Sequence, residues 1–344
     1  MRGAALASRV TVVVLAVVAI GLLPRLLSDF RAGQAGLVAV YFVALIGLNI
    51  LTGLSGQVSL GHGAFMAVGG YVTAILVSDQ GLELFGHTFS SEVRDIWTLP
   101  LAGVVAGVAG LLFGLPATRL AGAYLALATF GIGVALPAIL RKAESLTGGG
   151  SGINLFGLPK LSGLGVEVTV FGRTLTYNDW LYYSCWTVAL VLLGVSWLLL
   201  RGRLGRSLRA VRDAEAAAVS SGVSPMAAKT TAFAISAFYA GVAGGLYAMH
   251  TTFVNPGVFD VTLSIFLLVG VVVGGLGTMW TQAFGAAFIV FLPDVAQAIS
   301  KEPGVPAIVY AVVLIGLMLV LPGGVGGLVR RLSTPLTSRR HSRS

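Results

Sequence analysis

"GLSGQVSLGHGAF", residues 53–65, breaks an otherwise apolar stretch of the chain. Gly53, Gly56, Gly61 and Gly63 are interleaved with Ser55, Gln57, Ser59 and His62, and Asn49 stands four residues ahead of Gly53. A single glycine in a membrane helix lets a neighbouring helix come close. Four glycines among polar residues make a poor continuous helix. Backbone that leaves the helix at membrane depth must be buried in protein or face a water-filled cavity. Two readings follow: the segment lines a polar path, or it is a plain cytoplasmic turn between two spans. In the first, the helix ends would present amide and carbonyl groups to the charged ends of a zwitterion. His62 alone reads as a hydrogen-bonded structural residue, and the Asn49 amide as a bridge between helices.

The surrounding chain gives the class. Its 344 residues are 56% hydrophobic and only 10% charged, with a mean hydropathy of +0.92. Soluble domains carry about 25% charged residues, so lipid is the bulk solvent here. Apolar runs at 8–27, 33–51, 62–78, 98–115, 121–140, 182–200, 229–250, 261–280, 283–299 and 305–321 predict ten spans. They are unbroken Leu/Val/Ala/Gly blocks without inside–outside alternation, which means helices rather than barrel strands. The expected fold is an all-α polytopic membrane protein, a single transmembrane domain over 1–344. The first run, preceded by Arg2 and Arg9, reads as an uncleaved span, since Pro24-Arg25 follows it instead of a small-residue cleavage site.

Charge orients the spans. Arg201, Arg203, Arg206, Arg209, Arg212 and Lys229 face only Asp213 and Glu215 in 201–229, and Arg330, Arg331, Arg339, Arg340 and Arg343 crowd the tail. The loop 79–97 is acidic, with Asp79, Glu83, Glu92 and Asp95 against Arg94. The positive-inside rule then puts the 201–228 loop and the basic tail 329–344 in the cytoplasm. Counting spans from there puts both termini inside, the acidic 79–97 outside, and also the long loop 141–181, whose slight positive charge the rule tolerates without predicting. No aromatics interleave with the arginines, which argues against nucleic acid.

Much chemistry is missing from the sequence. It contains no G-x-x-x-x-G-K-[ST], H-E-x-x-H or G-x-S-x-G pattern, and Cys185 is its only cysteine. No metal site, nucleotide site or cofactor of its own is expected, and the chain does not read as an enzyme. Asp260 and Asp294 lie near span ends. Ion-coupled carriers hold ionisable groups at mid-membrane, so the driving energy is expected from elsewhere. A secondary carrier remains the rival from another class.

Three further segments complete the candidate set. "GGLGTMWTQAFGAAF", 274–288, is a second interruption, with Gly274, Gly275 and Gly277 ahead of a small-residue helix start. Paired interruptions point to a translocation path, here Asn49, Gly53, Gly56, Gln57, Ser59, Gly61 and His62 together with those three glycines. "TGGGSGI" in the external loop (Thr147, Gly148, Gly149, Ser151, Gly152) reads as a flexible turn, or as an amide nest or docking point. In 201–229, Leu204, Leu208, Val211, Glu215 and Ala218 recur at helical spacing with Arg206, Arg209 and Arg212 on the opposite arc. Gly222 should end that helix, and Ser224-Pro225 should start the next. This helix either rests on lipid or docks a soluble partner.

"NILTGLSGQVSLGHGAF" (49–65), "TGGGSGI" (147–153), "GRSLRAVRDAEAAAVSSGVSPMAAKTTAFAISAFYAGVAGGLYA" (205–248), "GGLGT" (274–278) and "LPGGVGGL" (321–328) together resemble the permease subunits of bacterial branched-chain amino acid ABC transporters, the longer M-type more than the H-type. The resemblance implies a type II ABC importer-like permease of the inner membrane. It implies a second permease, two cytoplasmic ATPases that bind the ATP, and a periplasmic or lipoprotein solute-binding protein. It assigns ATPase coupling to Arg206, Arg209, Arg212, Asp213, Glu215 and Gly222, and so favours docking. Thr281-Gln282 stands where the family often has Gly-Pro, and Ser151 where it often has Asn or Asp. Related permeases carry urea, short amides or other small solutes, which is the alternative cargo.

Overall fold

The computed structural model describes residues 18, 20–24, 27–78, 82–84, 87–89, 95–120, 122–155, 169–170, 173–174, 177–299, 302, 305–321 and 323–333. Its helices are α1 (Asp29–Asn49), α2 (His62–Val77), α3 (Asp95–Ala117), α4 (Ala123–Lys142), α5 (Glu144–Thr147), α6 (Tyr177–Arg201) and α7 (Arg203–Asp213). They continue as α8 (Glu215–Ser220), α9 (Pro225–Thr251), α10 (Val261–Gly274), α11 (Gln282–Ile299), α12 (Val305–Val320) and α13 (Gly324–Ser333). Each apolar run from 33–51 onward holds one helix, which in 261–280 covers only Val261–Gly274, while most of 8–27 lies outside the described residues. Among those described, five stretches are long and apolar enough to cross a membrane: Asp29–Leu54, Ile96–Ala117, Ala123–Lys142, Asn178–Arg201 and Pro225–Thr251.

Two expectations change. The run 261–280 is not one helix: α10 stops at Gly274, because Gly275 takes φ +99° and Gly277 φ +77°, conformations open mainly to glycine. The loops are not purely irregular either. Short antiparallel ladders pair β1 (Leu82–Leu84) with β2 (His87–Phe89), β3 (Ile153–Asn154) with β6 (Phe253–Val254), and β4 (Thr169–Val170) with β5 (Arg173–Thr174). The helical core is unaffected by them.

The core is built round α9, which packs on α3, α2 and α1, while α1 also packs on α6 and α11. Small residues set these distances. A Cβ on Gly241 would lie 2.6 Å from the Ala102 carbonyl, and one on Gly244 would strike the Met66 backbone. Gly69 sits directly on the Gly241 backbone. Three helices therefore meet main chain to main chain, which lipid-immersed helices achieve only through such residues. In the most apolar window of each, α9 is 78% buried and α1 83%, whereas α4 is 22% and α6 17% buried, so two helices form the centre and two face outward.

Candidate functional site

The first interruption begins inside α1, which widens into a π turn over Ile50–Leu54 before the chain leaves the helix. Such turns often mark functional positions. Ser55 N–H donates to the Ile50 carbonyl and Gln57 N–H to that of Leu51, at 3.1 Å. Gly56 then takes φ +74°. Asn49 is completely buried at the head of this turn. Its Nδ2 donates to the Thr278 carbonyl at 2.8 Å, and its Oδ1 accepts from Gly277 N–H at 2.8 Å. One side chain thus ties the first interruption to the second. Gly53 lies in the same contact: a Cβ there would sit 2.6 Å from Gly277 N.

The second interruption is fixed from the other side by Gln282, whose Nε2 donates to the carbonyls of Gly275 at 2.9 Å and Thr278 at 3.1 Å. A Cβ on Gly274 would meet this amide, and one on Gly275 would lie 2.8 Å from Gly326 N in α13. The closing glycine cluster therefore packs on the 275 turn.

The remaining residues of the first segment are packed as well. His62 Nε2 lies 3.1 Å from the Ala44 carbonyl, and its Nδ1 lies 3.5 Å from Ser236 Oγ. A ring nitrogen facing a carbonyl carries the proton, which assigns the Nε2–H tautomer. Ser59 Oγ accepts from Gly61 N–H at 3.4 Å, and Gly61 rests on the Thr129 carbonyl of α4. Gln57 Nε2 donates to Ser55 Oγ and to the Lys229 carbonyl of α9. The acceptors Gln57 Oε1 and Gln282 Oε1 are buried without a partner.

The basic loop reaches this junction directly. It forms two helices, not one: α7 and α8 meet at Ala214, which is extended (φ −157°, ψ 94°). Leu208, Val211 and Ala218 face the core, while Arg206, Arg209, Arg212, Asp213 and Glu215 are exposed. Arg212 Nη1 donates to the Gly53 carbonyl at 2.7 Å, and its Nε donates to Asp213 at 2.9 Å. The Arg212 stem fills the space where a Gly56 side chain would lie, 2.9 Å from a Cβ there. Glu215 pairs with Lys229 Nζ at 2.8 Å, and Arg209 Nη2 donates to the Leu200 carbonyl at 3.3 Å. Gly222, at φ +78°, closes α8, and Ser224 caps α9 through Ala227 N–H with Pro225 in its first turn.

The external-loop candidates lie at the opposite end of the helices. Thr147 is buried; its Oγ1 sits 2.6 Å from the Leu140 carbonyl and accepts from Gly149 N–H at 3.2 Å. Gly148 and Gly149 have positive φ, a 3-10 turn runs through Gly149–Ser151, and Gly152 abuts the Val254 carbonyl beside the β3–β6 ladder. Asn255 Nδ2 donates to the Gly150 carbonyl at 3.1 Å. The expected flexible turn is instead a hydrogen-bonded loop docked on residues 253–255.

At this far end a cavity of about 480 Å³ opens between α1, α6, α9 and α11. Asp29, Gln34, Tyr41, Asn178 and His250 line it together with Phe30, Leu37, Ile289 and Val290. No candidate read from the sequence is among them. The polar ones form no cluster in the sequence, and the signal that could have found them is only the position of Asp29, Asn178 and His250 at span ends.

The model of the family described as "Branched-chain amino acid transport system / permease component" matches residues 31–322. The high-affinity branched-chain amino acid transport system permease protein LivM of Escherichia coli K12 is 34% identical over 318 residues, covering 87% of this chain and 69% of that protein. LivM of Salmonella typhimurium LT2 is similar to the same extent, 34% over 318 residues. No solved structure matches. The matched region contains both interruptions and the loop that joins them, and the chain belongs to the family of branched-chain amino acid transport system permease components.

Proposed function

We propose that this chain is one permease subunit of an ATP-driven inner-membrane importer for branched-chain amino acids. It supplies a conduit and pairs with a second permease. Two cytoplasmic ATPases dock on α7 and α8, and a periplasmic or lipoprotein binding protein delivers cargo at the opposite face. Both termini and the 201–228 loop lie in the cytoplasm. The observation that carries the reading is the hydrogen bond from Arg212 to the Gly53 carbonyl. It joins a loop with an exposed basic face to the π turn, and Asn49 joins that turn to the second interruption. Movement of α7 forced by ATPase closure then shifts both interruptions together and opens the path at its cytoplasmic end. Cargo choice rests largely with the binding protein, so the permease needs few specific side-chain contacts.

Purification of the chain from its host membrane, followed by reconstitution, tests this. ATPases and a second permease should co-purify, and leucine uptake should require ATP. Glu215→Ala and Arg209→Glu should each lower uptake more than ATP hydrolysis. Concentrative uptake by this chain alone on an ion gradient would overturn the reading. ATP-driven uptake of urea or a short amide in place of leucine would move it to the alternative cargo.

A further inference from the structure

The far-end cavity has no role in the junction, yet it carries the features of a small-ligand site. Useful pockets enclose several hundred cubic ångströms, are mostly apolar, and contain a few placed polar groups. This one holds about 480 Å³ with an aliphatic wall of Leu37, Ile289 and Val290. The Asp29 carboxylate, the Asn178 amide and the Tyr41 hydroxyl line it with no hydrogen bond to any described residue. The neighbouring polar groups are occupied: His250 Nε2 is held 2.7 Å from the Gly33 carbonyl, and Gln34 donates to Asp294. One free carboxylate, two free groups able to donate, and an aliphatic wall match an ammonium, a carboxylate and a branched side chain. A lipid tail would use the wall but none of these polar groups.

We infer that this cavity is the permease's own receiving site for a small zwitterionic amino acid with an aliphatic side chain, at the face where cargo is delivered. The inference rests on the proposed importer reading and adds a place and a contact set to it. Asp29 holds the ammonium, Asn178 and Tyr41 the carboxylate, and Leu37, Ile289 and Val290 the side chain.

Gly33 offers a clean test. It lines the cavity within α1, and a Cβ there meets nothing within 4 Å. Gly33→Leu therefore starts from a Cβ in open space and adds bulk to the cavity wall, and leucine also favours a helix over glycine. In the complete reconstituted importer, Gly33→Leu should cut ATP-driven leucine uptake at least about tenfold without lowering the thermal midpoint. Asp29→Asn should reduce uptake similarly, and Asp29→Glu less. A diazirine analogue of leucine, photolysed during turnover, should label peptides containing Leu37 or Ile289–Val290. Undiminished uptake by Gly33→Leu together with no label on these peptides overturns the inference while leaving the importer reading intact. Absence of leucine uptake by the unaltered complex overturns both.

Discussion

The two ends of the bundle treat polar groups in opposite ways. At the end that holds the two interruptions, Asn49 is wholly buried and both ends of its amide are paired with backbone of the second interruption. At the far end, Asn178 is exposed at the start of α6 and makes no bond to a described residue. The residue type is the same, but the first is structural mortar and the second is available to a ligand. A buried polar side chain is costly unless partnered, whereas an exposed one is solvated, so the doubly paired Asn49 amide indicates fixed geometry and the exposed Asn178 amide stays open to a ligand.

Substitutions can break or sharpen that contrast. The largest effect is expected from Asn49→Leu, which leaves Gly277 N–H without its partner in a part-buried site and takes from the Thr278 carbonyl one of its donors, Gln282 being another. It should destabilise the chain by about 2–4 kcal/mol, measured as the shift of thermal unfolding in detergent. An unchanged midpoint would mean the two interruptions do not depend on each other. Arg212→Ala removes a charged donor from the Gly53 carbonyl, a bond worth about 1.5–3 kcal/mol. Leucine uptake per ATP hydrolysed should fall about tenfold or more in proteoliposomes, with Arg212→Lys keeping part of it; equal loss of both activities would make Arg212 merely structural. Lys229→Ala breaks a half-exposed pair with Glu215 and should cost about 0.5–1 kcal/mol, read from the same melts. Smallest is Asn178→Leu, expected to stay within about 0.5 kcal/mol. A penalty approaching that of Asn49→Leu would erase the difference between the ends.

Most of the helical architecture was legible, since lipid demands apolar helices and the runs from 33–51 onward each hold one, although 261–280 breaks at Gly275 and five stretches among the described residues are long enough to cross. The interruptions were legible too, because four glycines in eleven residues leave little choice of backbone. Their direct contact was not: Asn49 and Gly277 are separated by 228 positions, and no local pattern brings them together. The break at Ala214 also escaped, because alanine favours the helix and nothing in the local sequence marks the extended backbone it takes. Nor could hydropathy separate the central α1 and α9 from the outward α4 and α6, since protein core and lipid ask for the same residues. The far-end cavity was hidden for a further reason: six residues of α1 meet one each from α6 and α9 and two from α11, none unusual in its own stretch.

The glycine contacts of α9 bear on how force travels. Where Gly69, Gly241 and Gly244 bring main chains together, no flexible side chains lie between the helices to absorb a push. A 27-residue helix reaches about 40 Å, and α9 starts beside Lys229 and ends at His250 on the wall of the far cavity. A stiff rod of that length, clamped along its middle, tilts as one piece. A small displacement imposed at its foot therefore arrives undamped at its tip.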